Sequence, residues 1–272
     1  MSVMAILTDV TKCIGCEECV SACRTTNETG EDRLWRWQKN INDLSASRWT
    51  TIVGLPDNRY VRQQCRHCLD PACVSACPVG ALSRNPEGPV TYNSAICMGC
   101  RYCMMACPFA IPRYLWSEPI HYVRKCVMCY EKIKTGELKE PACTKACPTK
   151  ATIFGNRDEL IEEAHRLISE GKGKYLDKVW GEKEVGGTAV LYVSDVSLDF
   201  LAWQKDLGNK PLPEATWKAL KKVPGVFVGV GAAMFGIYWV IERRQKRAEE
   251  NDRAGEGEKD KGKEKDESAG EK

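Results

Sequence analysis

The sequence predicts an α+β protein whose cysteine-rich region, in short loops broken by proline and glycine, is followed by one C-terminal transmembrane helix. All sixteen cysteines lie between Cys13 and Cys147, in four groups of four. Residues 223–241 carry no charge and are largely apolar. Because a helix rises 1.5 Å per residue, this segment would span about 28 Å, close to the hydrocarbon thickness of a bilayer.

Composition narrows the class of protein. The 272-residue chain has a net charge of +3, too near neutral for a nucleic-acid partner to be expected. Its cysteine content is about three times the ordinary value. Disulfide-rich secreted proteins can have an equally high cysteine content, but they are usually short. In addition, residues 1–10 lack the basic and apolar segments of a signal peptide. We therefore expect thiols that bind a metal in a reducing cytoplasm.

The cysteines form an internal repeat of four motifs that uses every one of them. Motif one is Cys13, Cys16, Cys19 and Cys23; motif two is Cys65, Cys68, Cys73 and Cys77; motif three is Cys97, Cys100, Cys103 and Cys107; motif four is Cys126, Cys129, Cys143 and Cys147. A proline follows the last cysteine of motifs two, three and four, whereas Arg24 follows motif one.

The spacing suits cubane [4Fe–4S] clusters, which need four thiolates directed inward. In motifs one and three, three cysteines within seven residues can wrap one cube, and Gly15 and Gly99 stand where the loop turns sharply. In two-cluster ferredoxins the fourth cysteine of such a motif ligates the neighbouring cluster. Spacing alone thus predicts the trios and leaves the fourth ligand of each cluster open.

Other metal sites fit the pattern less well. Four structural zinc sites would also use sixteen thiolates, but they usually combine two separated cysteine pairs. The Cys-x-x-Cys-His sequence of haem c attachment is absent. The chain has three histidines, so imidazole sites are poorly supplied. His67, between Cys65 and Cys68, is either a neutral residue that tunes a cluster or an exposed loop residue.

Basic residues beside the cysteines are expected to offset the negative charge of thiolate-bound clusters and so raise their reduction potentials. These residues are Lys12, Arg24, Arg66, Arg101, Arg124, Lys125 and Lys145. Ordinary solvated surface charge is the alternative for each.

Residues 156–222 are predicted to be a packing and docking extension. Asn156 or Asp158 can cap a helix that ends at Gly171 and buries apolar side chains at three- and four-residue spacing. Residues 188–193 follow two glycines and predict a strand.

Residues 223–241 are predicted to be a transmembrane helix, with a buried helix of a soluble protein as the alternative. Lysines and arginines flank the segment on both sides, and Tyr238 and Trp239 lie near one end, as interfacial aromatics do. Small residues recur along it and would fit a partner's helix. Residues 242–272 are highly charged and lack Leu, Ile, Val and aromatics, which predicts a disordered tail without an assigned function.

At its four motifs the chain resembles the iron–sulfur subunits of membrane-bound molybdopterin and nickel–iron oxidoreductases. The wide fourth motif, which includes residues 141–148, is specific to that group. Residues 7–16, 43–50 and 185–193 are similar to the beta subunit of respiratory formate dehydrogenase. Residues 64–73, 100–108 and 181–184 are similar to the iron–sulfur subunit of the uptake [NiFe] hydrogenase complex. The resemblance covers about residues 5–241.

This resemblance implies two ferredoxin-like dicluster modules in tandem, one nested in the other. Residues 1–63 and 122–155 would form the outer module, and residues 64–121 the inner one. The implied ligand sets are Cys13, Cys16, Cys19 with Cys147; Cys126, Cys129, Cys143 with Cys23; Cys65, Cys68, Cys73 with Cys107; and Cys97, Cys100, Cys103 with Cys77.

The resemblance also implies a function. We expect a non-catalytic subunit that relays electrons through four [4Fe–4S] clusters between a formate dehydrogenase or hydrogenase type of catalytic subunit and a membrane cytochrome b or quinone-binding subunit. Consistent with this, no carboxylate pair, Ser–His arrangement or nucleotide-binding glycine loop stands out. The alternatives are a membrane-tethered structural zinc-binding scaffold and a soluble ferredoxin-type protein with 223–241 in its core.

The expected location is the cell inner membrane, crossed once. The related subunits place their clusters on the outer face, which implies a periplasmic cluster domain and a cytoplasmic C-terminus. A small excess of basic residues after the span agrees with that orientation. The direction of electron flow is left open.

Overall fold

The computed structural model describes residues 2–30, 44–55, 58–116, 122–201 and 207–269. The chain divides into two compact units, Met1–Ala215 and Thr216–Lys272. The strands are β1 Met4–Asp9, β2 Thr50–Leu55, β3 Arg59–Gln64, β4 Leu82–Arg84, β5 Val90–Tyr92, β6 Arg113–Tyr114, β7 Val123–Arg124, β8 Thr152–Asn156 and β9 Val190–Val193. The helices are α1 Glu18–Asn27, α2 Ala72–Ser75, α3 Tyr102–Ala106, α4 Tyr130–Lys134, α5 Ala142–Lys145, α6 Arg157–Glu170, α7 Leu212–Leu220 and α8 Val223–Ala269. This mixture agrees with the predicted α+β class.

The core of the first unit is a three-stranded sheet of order β8–β1–β9. The central strand β1 runs antiparallel to β8 and parallel to β9. Its residues Ala5, Ile6 and Leu7 are almost completely buried, as expected of a strand covered on both faces. All four residues of β9 are buried too. The predicted extension 156–222 therefore contributes a strand to the central sheet, in addition to packing elements.

Helix α6 follows the sequence prediction closely. The Asn156 side chain accepts a hydrogen bond from the backbone N–H of Asp158 at 3.0 Å, and Gly171 lies at the C-terminal end. Leu160 and Ala164 are buried against the sheet. Its amphipathic pattern thus packs the helix onto β1, β8 and β9.

Three two-stranded antiparallel pairs surround the cysteine motifs: β2–β3, β4–β5 and β6–β7. Helix α1 packs against α5, and helix α2 packs against α3. These helix contacts bring motif one to motif four and motif two to motif three.

In the second unit, α8 begins at Val223 and continues to Ala269. Among the described residues one segment, Leu212–Asn251, is long and apolar enough to cross a membrane, and its most apolar window has no buried residues. Phe227 and Val228 are 75% and 73% exposed. This exposure disagrees with the alternative in which 223–241 forms part of a soluble core.

The tail differs from the sequence prediction. Residues 242–272 were expected to be disordered, whereas helix α8 extends through them to Ala269. Alanine, glutamate, lysine and arginine are strong helix formers, and no proline follows Pro224 in the chain. Lys246 also pairs with Glu242 at 2.9 Å, one helical turn earlier. Local helix propensity can therefore continue the helix without a buried face.

Candidate metal-cluster sites

The two three-cysteine motifs share one local structure. Before Cys13 a single 3-10 turn is capped by the side chain of Asp9, and before Cys97 the same kind of turn is capped by Asn93. After the second cysteine of each motif one residue is left-handed, and then α1 or α3 begins. The repeat predicted from cysteine spacing is thus also a repeat of backbone conformation.

The sharp turn predicted at the glycines of these motifs is present. Gly15 has φ +71° and Gly99 has φ +73°. At Gly15 an added Cβ would lie 2.6 Å from the ring of Tyr60, too close for a real contact. Only glycine satisfies both the left-handed backbone and the close approach of this ring.

Motifs two and four share a different local structure. Pro71 precedes helix α2 and Pro141 precedes helix α5, each a four-residue helix. The third cysteine of each motif, Cys73 or Cys143, lies inside that helix. The fourth cysteine follows its end.

The cysteines come together in four sets. One cavity is lined by Cys13, Cys16, Cys19 and Cys147; a second by Cys23, Cys126, Cys129 and Cys143; a third by Cys77, Cys97, Cys100 and Cys103. The fourth set consists of the mutual neighbours Cys65, Cys68, Cys73 and Cys107. These are the sets that the family resemblance implies, and their binding of iron stays a prediction.

Three of the four sets line cavities. Among the described residues, no group of three or more His, Cys, Asp or Glu side chains has the geometry to hold one metal ion. A structural zinc site would bring four such ligands to about 2.3 Å from one ion. A cubane holds its thiolates at the corners of a larger body. The donor chemistry of each set, four thiolates, fits an iron–sulfur cluster.

The thiols are strongly perturbed. Burial raises the pKa of Cys19 to about 11 and that of Cys73 to about 12. Burial also raises the pKa of Cys126 far above its ordinary value, and the charges of Cys23 and Cys143 add to the effect. Thiolates are the form that binds metal, so a bound cationic iron core is what would keep these crowded sulfurs deprotonated at neutral pH.

A buried cation, Arg62, shows that the site is built for negative charge. The residue is 1% exposed, and it lines the cavity of Cys13 and Cys147. Apart from the Cys143 sulfur, its guanidinium has no hydrogen-bond partner among the described residues. Burial alone would lower the pKa of Arg62, but the charges of Cys143 and Cys19 raise it. An anionic cluster fits beside this guanidinium, whose neighbours are cysteine sulfurs.

Comparison with known proteins identifies the family of this chain. Residues 56–157 match the family model of the 4Fe-4S dicluster domain. The hydrogenase-2 operon protein HybA of Escherichia coli O157:H7 is 33% identical over 288 residues, covering 89% of this chain and 85% of HybA. The chain belongs to the HybA family of dicluster iron–sulfur proteins.

Two other relatives support this membership. A protein of Nitratidesulfovibrio vulgaris Hildenborough is 40% identical over 261 residues, covering 90% of this chain and 68% of that protein. The iron–sulfur subunit of the nitrate-inducible formate dehydrogenase of Escherichia coli K12 is 36% identical over 202 residues. The match covers 70% of this chain and 67% of that subunit. This chain thus contains a ferredoxin-like 4Fe-4S dicluster domain.

The basic residues predicted to offset cluster charge divide into two groups in this iron–sulfur protein. Arg66 and Lys125 are buried. The Lys125 ammonium donates to the carbonyl of Cys126 at 3.0 Å, and the Arg66 guanidinium lies over the rings of Tyr192 and Phe109. The others are exposed or half-buried, and for Lys12, Arg101 and Lys145 the solvated surface charge is the better description.

His67 is buried, so the alternative of an exposed loop residue is wrong. Its Nδ1 accepts a hydrogen bond from the backbone N–H of Val90 at 2.9 Å. Burial and the nearby charge of Lys125 hold the pKa of His67 well below 6.5. The imidazole is therefore neutral in the folded protein. His121 lies outside the described residues.

Arg62 is the important residue that the sequence analysis missed. It lies three positions before Cys65, within an ordinary strand pattern. The available signal was a cation inside a strand that leads directly into a ligand motif. Its burial depends on Cys19 and Cys143, which are distant in sequence and close only in the fold.

Proposed function

We propose that this chain is a non-catalytic electron-transfer subunit that relays electrons through four [4Fe–4S] clusters. The single observation that carries the proposal is the assembly of all sixteen cysteines into four neighbouring sets. Each set would hold one cluster through its four thiolates. The clusters would supply one-electron redox chemistry, and a four-thiolate cubane leaves no open iron position for a substrate.

The sets adjoin one another, which suits a relay. Charges couple Cys19 to Cys143, Cys126 to Cys65 and Cys73 to Cys103, and each of these pairs joins two different sets. The order is therefore the Cys13 set, the Cys126 set, the Cys65 set and the Cys97 set. Together with the helix pairs α1–α5 and α2–α3, this order supports two nested dicluster modules, 1–63 with 122–155 outside and 64–121 inside.

The partners follow from the relatives. HybA is named for a hydrogenase-2 operon, and another relative is named as a formate dehydrogenase iron–sulfur subunit. By this similarity the chain would serve a catalytic subunit of one of these types and pass electrons to or from a membrane cytochrome b or quinone-binding subunit. The family kinship with iron–sulfur subunits gives no support to a zinc scaffold.

The apolar segment supports a membrane anchor. Residues 223–241 would cross the inner membrane once, with basic residues at both ends. The cluster unit would lie on the periplasmic side and the C-terminus in the cytoplasm. Cysteine labelling of an introduced residue near position 250, in intact and in permeabilised cells, tests this orientation.

Metal analysis of the full chain tests the central proposal. Protein purified without oxygen should contain about sixteen iron and about sixteen sulfide per chain, and should give cluster EPR signals on reduction. A colourless protein with four zinc ions would contradict the proposal. If iron and sulfide are present as expected, mass spectrometry of the intact complex would identify the catalytic subunit.

A further inference from the structure

The hairpin β2–β3 is a shared wall of the first two cysteine cavities. Arg62 and Ile52 line the cavity of the Cys13 set, while Gln64 and Trp49 line that of the Cys126 set. Arg62 and Gln64 are two residues apart on one strand, so they lie on the same face of the hairpin. This wall carries a charged residue to the boundary between two candidate clusters.

Arg62 interacts electrostatically with cysteines of both cavities. The two thiolates whose charges act most on it are Cys143 and Cys19, which belong to different sets. The side chain is fully buried, and apart from the Cys143 sulfur it has no hydrogen-bond partner among the residues that the structure describes. Arginine does not lose its proton in proteins, so this positive charge is permanent. A permanent buried charge is costly unless negative charge balances it.

We propose that Arg62 is a positioning residue that sets the reduction potentials of two clusters together, an inference that rests on the proposed function. When an electron arrives, the receiving cluster becomes one unit more negative, the donor cluster loses the same unit, and the guanidinium keeps its proton. A fixed positive charge between them stabilises the reduced form of each. It therefore raises both potentials.

The effect should be strong because the charges are buried. Interactions between buried charges are screened far less than those at a surface. Lys145 offers a matched control, since it lies between Cys143 and Cys147 in the sequence but is exposed. Lys145 is thus a cation that lies next to ligand cysteines in the sequence without being buried among them.

EPR-monitored redox titration of the full, cluster-loaded chain provides the test, after iron content has been measured. Arg62→Gln should lower the reduction equilibrium of two of the four clusters by at least tenfold, which is 59 mV for a one-electron couple. The other two clusters should keep their potentials. Lys145→Gln should change every potential by less than tenfold, and Arg62→Lys should shift the two clusters less than Arg62→Gln does.

Several outcomes would overturn the proposal. Unchanged potentials in an iron-replete Arg62→Gln protein would do so, as would a shift of only one cluster or of all four. If Arg62→Gln loses its clusters, Arg62→Lys must restore the iron; failure of both variants would assign Arg62 to packing instead of charge. Low iron in the unsubstituted chain would contradict the proposed function itself. Failure of the proposed function can thus be distinguished from failure of the Arg62 proposal.

Discussion

At the scale of single residues, Gly15 shows how a local backbone requirement and a tertiary contact combine. Its left-handed conformation could be anticipated from a tight three-cysteine loop, and φ +71° agrees. The contact with Tyr60 could not be anticipated from the sequence, because Tyr60 lies in β3, far along the chain. Only the fold brings this ring against the loop.

Gly15→Ala should therefore destroy the first cluster site. The substitution places a Cβ 2.6 Å from the Tyr60 ring, in addition to a left-handed backbone cost of about 1–2 kcal/mol. Iron should fall by about a quarter, with loss of one EPR signal. Gly136→Ala is the matched control, since its φ is +80° but no atom lies within 4 Å of the added Cβ. Equal iron content in the two variants would contradict this account.

Single cysteine substitutions test the grouping of the ligands. Cys13→Ala and Cys147→Ala should abolish the same EPR signal, because both residues line one cavity. Cys143→Ala should abolish a different one, although Cys143 is close to Cys147 in sequence. Each variant should lose about a quarter of the iron. A common signal lost in Cys143→Ala and Cys147→Ala would show that the grouping is wrong.

The sequence predicted the cysteine trios and cations beside the motifs, but not Arg62 or the burial of His67. Spacing within a motif is local, so it can be read from the chain directly. The burial of Arg62 and His67 depends on β3, β5 and several distant cysteines, which meet only in the folded unit. Burial of a polar residue is therefore the feature that local patterns predict least well here.

At the scale of elements, local signals predicted α6 and β9 well. The cap at Asn156, the apolar spacing and Gly171 are all close in sequence. The pairing of β1 with β8 and β9 was not predicted, because it joins the two ends of the first unit. The helical tail differs from the predicted disorder, because helix propensity alone continues α8 without a buried face.

Asn156→Ala should destabilise the first unit modestly. The substitution removes the acceptor of the 3.0 Å bond from the Asp158 N–H, and loss of an N-cap typically costs about 1 kcal/mol. Thermal unfolding followed by far-UV circular dichroism should show a small decrease in the midpoint. Asn156→Ser keeps a capping oxygen and should behave like the unsubstituted protein. A decrease as large in the serine variant would argue against capping.

At the scale of the whole molecule, the chain divides its chemistry between two units. The cysteines, the buried cations and the sheet lie in Met1–Ala215, while the apolar helix lies in Thr216–Lys272. None of the sixteen cysteines depends on residues beyond 215 for a neighbour in its own set. Cluster binding and membrane attachment should therefore be separable.

A chain that ends at Lys222 tests this separation. Without residues 223–272 it should retain about sixteen iron atoms and remain in the soluble fraction, since it lacks the apolar helix. The full chain, expressed without its partner subunits, should resist carbonate extraction and require detergent. A variant with three lysines in the span should behave like the truncated chain, because charges near the bilayer centre are costly. Its substitutions are Val228→Lys, Met234→Lys and Ile237→Lys. Carbonate-resistant membrane binding by the truncated chain would locate the anchor in the cluster unit instead.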